Sequence, residues 1–405
     1  MNPIKTLLRT ATAGLIIGIT GCCTTVQDSK QHNLQLMLDE ARNQVFEKYG
    51  TEEPIGLMLY AINGDDEYFV CSNMPEGITP DSFMRIASAT KTFVAASILL
   101  LEQQGKLNID DTVVMNIPGK DIPYLPNNEF YQIPHKKDIT IRQLLQHNAA
   151  VFDVSDAAIP ESTQAPYAGE SYTDYQTEKD IFHTFTADEL AAVISKYQLE
   201  FGKPGDIGLY SNAGYTLLAK IVERVSEKPI DVFITENLLI PNGLNHTHMV
   251  VRAEERTLPQ PAIDGFSGRP GKLTRGVESN LTRYLSSGNM ISTPRDIANW
   301  MRLLYSGQAG LSPETVQQMT DPGQCDYALG TMNYQKRAFG HNGALNGYFS
   351  MNYYDPQTNT AWTLLANYAR FGDDFAGQIA AMEEFEGKML NLFAGETQSN
   401  PNEAQ

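Results

Sequence analysis

The feature that most constrains this chain is a helix-length run with almost no polar side. Ile86-Ala87-Ser88-Ala89-Thr90-Lys91-Thr92-Phe93-Val94-Ala95-Ala96-Ser97-Ile98-Leu99-Leu100-Leu101 carries a single charged residue, Lys91. A surface helix keeps a polar face opposite its apolar stripe, whereas a run that is apolar nearly all round belongs inside the protein. The spacing predicts a helix from Ser88 to Gln104, stopped by Gly105, with the fold packed around it. Positions i and i+3 share a face, so Ser88 and Lys91 stand one above the other. A buried ammonium is costly unless it finds partners or gives up its proton. A hydroxyl one turn from an amine whose pKa burial lowers is a candidate activated nucleophile, as in a serine hydrolase. Ser-x-x-Lys occurs once in the chain.

With 405 residues, 42% of them hydrophobic, the chain can bury a large core in one big or two interlocked domains. A net charge of −18 argues against nucleic acid or an anionic membrane surface as a partner. Lys5 and Arg9 precede the short apolar stretch Ala13-Gly14-Leu15-Ile16-Ile17-Gly18-Ile19-Thr20, the pattern of a targeting segment. It ends in Ile19-Thr20-Gly21-Cys22 and resembles a bacterial lipoprotein signal. That resemblance implies cleavage before Cys22, lipid on Cys22, and an exported, membrane-anchored mature chain facing the periplasm or cell surface. An ordinary secretory signal is the alternative. Residues 1–21 are expected as signal, 22–30 as a flexible leader, 31–393 as the folded domain and 394–405 as a disordered tail. Cys71 and Cys325 are left as a possible pair, their separation unfixed by sequence. No Cys/His cluster has metal spacing, so neither metal nor other cofactor is expected.

Helices are expected over 33–48, 138–147 (with Thr140 as a candidate N-cap), 186–197, 214–225, 229–238, 293–306 and 375–393. Strands are expected over 54–62 and 67–72, joined by the turn Asn63-Gly64-Asp65-Asp66, and over 338–340, 348–354 and 360–367. Residues 151–185 are polar and Tyr-rich without a period, and read as a long loop, more on the surface than in the core; the alternatives are surface decoration and a wall of the cleft, where its tyrosines suit sugars or peptides. The fold class is therefore α/β in the α+β sense. An antiparallel sheet is built from N- and C-terminal segments and flanked by helices, with a mostly helical insertion over roughly 106–310.

Two later motifs add chemistry. Tyr210-Ser211-Asn212 offers a phenol, a candidate general base beside cationic charge, and a carboxamide that can hold a substrate carbonyl. Alone, it also reads as a turn with an N-capping Asn. In Gly340-His341-Asn342-Gly343-Ala344, beside a predicted strand, the Ala344 N–H and the Ser88 N–H are candidate oxyanion donors. His341 alone also reads as an ordinary strand-edge histidine.

Ser-x-x-Lys, Tyr-x-Asn and His-x-Gly in this order resemble the serine β-lactamase-like and penicillin-binding protein family, in its class C β-lactamase, D-alanyl-D-alanine carboxypeptidase and esterase branch. The segments 105–111, 139–147, 287–293 and 327–330 resemble its connecting segments. The resemblance implies a β-lactamase/transpeptidase-like fold, acylation of Ser88, and proton traffic shared by Lys91 and Tyr210. It implies that Asn212 orients a substrate amide and that His341 gives a hydrogen bond or positive charge near the substrate's far end. Asn342 and Gly343 continue that substrate-binding strand, and Ser88 and Ala344 hold the oxyanion. The chain departs from the pattern where β-lactamases carry Lys-Thr-Gly, here His341-Asn342-Gly343. It departs again at His147-Asn148-Ala149-Ala150, in place of His-Thr-Ser-Gly, and after Gly330, where Thr331 and Met332 stand and Arg337 is the nearest arginine. The implied substrate is a cell-wall D-amino-acid peptide, a β-lactam or a related small molecule. A short-chain esterase and a wall-binding lipoprotein without catalysis are the alternatives.

Overall fold

The computed structural model describes residues 20–49, 53–206, 208–269, 272–276, 278–323, 325, 327–369 and 375–397. Most of the expected signal segment and residues 398–405 of the expected tail lie outside them. The chain opens with α1 (Thr20–Phe46) and the hairpin β1 (Leu57–Asn63) and β2 (Asp66–Ser72). A short strand, β3 (Met84–Arg85), leads through a tight turn at Ala87–Ala89 into α2 (Thr90–Gln103). The middle contributes α3 (Ile141–Leu145), α4 (Tyr172–Lys179), α5 (Ala187–Tyr197), α6 (Asn212–Ser226) and α7 (Ile230–Ile234). Short strands follow: β4 (His248–Met249), β5 (Phe266–Arg269), β6 (Lys272–Arg275) and β7 (Met290–Ser292). Helices α8 (Pro294–Tyr305) and α9 (Pro313–Thr320) come next. The chain then runs through β8 (Met332–Tyr334), β9 (Ala338–Leu345), β10 (Tyr348–Asp355) and β11 (Thr360–Ala366) to α10 (Phe375–Thr397).

Six of these strands form one antiparallel sheet in the order β2-β1-β11-β10-β9-β8, joining the two ends of the chain as the sequence implied. Both faces are covered. Leu57, Leu59 and Ala61 of β1 pack with Leu34 and Leu38 of α1 and Phe385, Met389 and Phe393 of α10. Met58, Tyr60 and Ile62 point the other way, into the core that holds α2, α6 and α8. Successive strand residues alternate faces, which is why β1 is apolar almost throughout. Helix α2 is buried along nearly all its length, with the Phe93 ring stacked on Trp300 at 4.2 Å.

Several expectations need correction. Residues 22–30 are not a separate leader but part of α1, and α1 covers the sheet edge. Gln27, Gln31 and Gln35 donate to the carbonyls of Glu67, Phe69 and Cys71 at 3.4, 2.5 and 2.9 Å. Four helical residues rise about 6 Å and two strand residues about 6.7 Å, so a glutamine every turn meets alternate carbonyls of β2. Residues 394–397 continue α10 rather than fray. The segment 151–185 is a surface loop only in part: Val151 to Ser155 are buried, α4 forms behind the cap of Ser171, and much of the rest is exposed. The strand expected over 338–340 runs on to Leu345. Cys71 and Cys325 are free thiols. Thr140 does cap α3, in a capping box completed by Gln143.

Candidate active site

The Ser88 turn is the point where the sheet meets the helical part of the molecule. Ala87, the residue before Ser88, is held at φ +46°, a left-handed conformation that a side-chain-bearing residue rarely adopts. β9 packs against this turn, and Gly343 permits it. A Cβ at 343 would lie 2.2 Å from the Ile86 carbonyl oxygen, with no flexible side chain there to yield.

Lys91 is fully buried one turn on from Ser88. Its Nζ donates to Ser88 Oγ at 3.1 Å, Asn212 Oδ1 at 2.8 Å and the Ser287 carbonyl at 2.9 Å. Burial pulls its pKa from 10.5 down to about 7, and the charges of Asp153 and Asp156 oppose that fall. Tyr210 reaches the same point from the loop before α6. Lys91 Nζ lies 4.6 Å from its ring centroid, and Ser88 is near enough to its hydroxyl to favour the phenolate slightly. The residue as a whole is 43% exposed, but its hydroxyl end is enclosed, and desolvation there drives the phenol pKa well up. The sequence-derived trio Ser88, Lys91 and Tyr210 thus converges.

Asn212 is the first residue of α6, and Ser211, not Asn212, is the N-cap. Asn212 joins Lys91 to a feature that the sequence reading missed. Its Nδ2 donates to Asp156 Oδ2 at 2.8 Å, and its backbone N–H donates to Asp153 Oδ2 at 3.0 Å. Asp153 also accepts from the Ser155 N–H at 2.9 Å. Burial, and Asp156 nearby, raise the Asp153 pKa from 3.8 to about 6. The run Ala149-Ala150-Val151-Phe152-Asp153-Val154 holds one acid in an apolar stretch. That is the same signal that singled out Lys91, and it would have found this carboxylate.

His341 and Asn342 do not face the cleft in the way the motif implied. His341 is buried. Its Nδ1–H donates to the Asn342 carbonyl at 2.5 Å, leaving Nε2 to accept from the Tyr327 hydroxyl at 2.8 Å. Burial, then the Lys91 charge, lower its pKa from 6.5 to about 3, so it is neutral and offers a substrate no positive charge. Asn342 accepts a hydrogen bond from the Tyr353 hydroxyl at 2.8 Å, on the opposite side of β9 from the Gly343 contact. His147 is a second buried, neutral imidazole. Its Nδ1 accepts from the Ser211 N–H at 3.1 Å and its ring lies 4.0 Å from that of Tyr210, which fixes the loop carrying the phenol.

The cleft in front of these groups encloses about 340 Å³ and is lined by Ser88, Asp156, Asn212, Tyr284, Ser287 and Ala344, among others. The register of β8 on β9 ends at Gly340, so no named strand pairs with that edge of β9 at Ala344. A site of this form has a hydroxyl beside a lysine near neutrality, a phenol, and a strand edge without a named partner at a cavity. It is equipped for nucleophilic acyl transfer.

The family model described as Beta-lactamase matches residues 44–385. The chain belongs to this family of serine hydrolases. It is 27% identical over 298 residues to Protein flp of Staphylococcus aureus (strain NCTC 8325 / PS 47), covering 71% of this chain and 53% of that protein. It is 28% identical over 229 residues to Penicillin-binding protein 4* of Bacillus subtilis (strain 168), covering 55% of this chain and 43% of that protein. The chain thus spans about half the length of these relatives. Among solved structures, D-amino acid amidase from Ochrobactrum anthropi SV3 shares the fold, with a TM-score of 0.70, 22% identity, and coverage of 91% of this chain and 99% of that one. A D-stereospecific amidohydrolase from Streptomyces sp. shares it at a TM-score of 0.67 and 22% identity, covering 85% and 98%.

Proposed function

We propose that this chain hydrolyses small D-amino-acid peptides or amides through an acyl-enzyme on Ser88, as a D-alanyl-D-alanine carboxypeptidase-like or amidase-like member of its family. The observation that carries the reading is the close approach of Lys91 to Ser88, at 3.1 Å, and to the Tyr210 ring, at 4.6 Å, behind a serine that lines the cleft. Lys91, with a pKa near 7, is in good part a free amine at neutral pH, whereas the Tyr210 phenol keeps its proton. Lys91 Nζ therefore takes the Ser88 proton as Oγ attacks the carbonyl carbon. The oxyanion is held by the N–H groups of Ser88 and Ala344. Collapse breaks the bond to the leaving amine, which takes the proton by way of Tyr210. Water then attacks the Ser88 ester by the same route, releasing the acid and restoring the hydroxyl. The relatives' names, penicillin-binding protein and D-amino acid amidase, support this class of substrate.

Mass spectrometry after incubation with D-alanyl-D-alanine, D-alaninamide, p-nitrophenyl acetate and benzylpenicillin tests the reading. The expected result is an acyl adduct on the peptide containing Ser88, absent from Ser88→Ala. Turnover that persists in Ser88→Ala overturns it. A short-chain esterase is the second reading, favoured by the neutral His341, which leaves a substrate carboxylate without an evident cation. Faster turnover of p-nitrophenyl acetate than of every peptide and amide would select it. We also propose export and lipid attachment at Cys22, on the strength of the Ile19-Thr20-Gly21-Cys22 sequence. Palmitate labelling of cells, lost in Cys22→Ser, tests it, and equal labelling of both forms refutes it.

A further inference from the structure

We infer that the cleft selects an acyl group bearing a free amine, an amino-acid amide or ester, with Asp156 as the carboxylate that receives the ammonium; this rests on the acyl-enzyme reading of Ser88. Asp156 is the only charged side chain among the described residues lining the cleft. It is exposed, and it is reached from Ser88 through three hydrogen bonds in series, by way of Lys91 and Asn212. One of its oxygens accepts from Asn212, and the residue lines the cavity.

The neighbouring cations are committed elsewhere. Lys91 directs its donors to Ser88, Asn212 and Ser287. Arg283 pairs with Asp174, donates to Thr173 at 3.1 Å and lies over the Tyr284 ring, and its charge reaches Asp156 only through space. His147 and His341 are held neutral by burial. Asp153 adds a second carboxylate behind Asn212. The field on the Asp156 side of the cleft therefore favours a cation, and of the two substrate types proposed above it favours the amides over peptides that end in a carboxylate. A single carboxylate is too few oxygens for a hard metal ion, but it suits an ammonium, which takes a charge-assisted hydrogen bond. The substrate's amine then sits on the Asp156 side of the nucleophile, close to the scissile carbonyl, and helps orient it.

The test compares D-alaninamide with N-acetyl-D-alaninamide, and measures binding of both to Ser88→Ala by calorimetry. The free amine is expected to be favoured about ten- to hundredfold in kcat/KM and in binding, the range for a hydrogen bond to a charged group. Asp156→Asn should erase most of that preference, and Asp156→Glu should restore part of it. The preference should also weaken with ionic strength, a readout that stands even if an Asp156 variant fails to fold. Equal use of the two amides by the unmodified protein overturns the proposal, as does a preference unchanged in a folded Asp156→Asn. Hydrolysis that survives Ser88→Ala would remove the acyl-enzyme reading instead. Selective, Asp156-dependent binding of the free amine to Ser88→Ala would still support this subsite.

Discussion

An imidazole enclosed on all sides, with both nitrogens already bonded, resists taking a second proton, and His341 is such a group. Its Nδ1–H is committed to the Asn342 carbonyl, and Nε2 can take a proton only by reversing the bond from Tyr327 and charging a buried ring near Lys91. Its pKa falls from 6.5 to about 3 in the folded protein. Between those values the unfolded chain binds a proton that the folded chain refuses. The stability tied to His341 is therefore complete above pH 6.5 and is lost as pH falls toward 3. At about 1.4 kcal/mol per tenfold, the whole span is worth about 5 kcal/mol, of which about 2 kcal/mol is gone by pH 5. Asp153 and Glu386, raised to about 6 and about 8, act in the opposite sense, losing stability as pH rises through those values. A wild-type pH curve mixes these trends, so the difference between wild type and His341→Gln isolates the imidazole. Urea unfolding at pH 8 and pH 5 should show the cost of His341→Gln shrinking by about 2 kcal/mol at the lower pH. Histidine NMR should show one signal, missing from the variant, that does not titrate down to pH 4. An equal cost at both pH values, or a titration of that signal near 6.5, would refute the argument.

Activity toward an activated ester should rise with pH through about 7 as Lys91 loses its proton, and a flat kcat/KM between pH 6 and 8 would count against this. Lys91→Arg, which keeps the charge but cannot release it, should lower kcat/KM about 10²–10⁴-fold. Gly343→Ala forces a methyl to within 2.2 Å of the Ile86 oxygen; thermal unfolding should show a loss of about 1–3 kcal/mol, with activity falling as β9 moves from the Ser88 turn. Asp153→Ala leaves the N–H groups of Asn212 and Ser155 unpaired and should cost about 2 kcal/mol or more by urea unfolding, with Asp153→Asn milder because its carbonyl still accepts one. Thr140→Ala breaks a capping box and should cost about 1 kcal/mol in the same assay.

The sheet and the central helix were legible because both rest on apolar periodicity. β1 alternates two buried faces, and α2 is apolar nearly all round, so each pattern has one structural solution. Ser88, Lys91 and Tyr210 were legible because each is a polar group in a context that makes it expensive or motif-bound. The short strands β3, β4 and β7 were not. Two- and three-residue strands carry no period, and their pairing is decided by the tertiary contact of segments far apart in the chain. The glutamine ladder of α1 was misread for a related reason. Gln27 fell in the expected leader and Gln35 in the expected helix over 33–48, yet with Gln31 they share one partner, the edge carbonyls of β2, which sequence alone does not bring alongside.

The segment 151–185 shows where periodicity is blind. A buried lysine needs acceptors, and acceptors must come from polar residues that are themselves buried and satisfied. Asn212 meets that need at Lys91 but has its own donors to place, and Asp153 and Asp156 receive them. The demand created at Lys91 is thus passed outward through one carboxamide to two carboxylates. The two acids sit in different surroundings: Asp153 is buried in the apolar run 149–154, and Asp156 is exposed where the chain leaves that run along the cleft. Six residues are too few to carry a period, although one acid among apolar neighbours is the same signal as Lys91. A buried lysine thus demands an acceptor, that acceptor's own donors demand acceptors in turn, and the carboxylates that meet the demand give the cleft its acidic side.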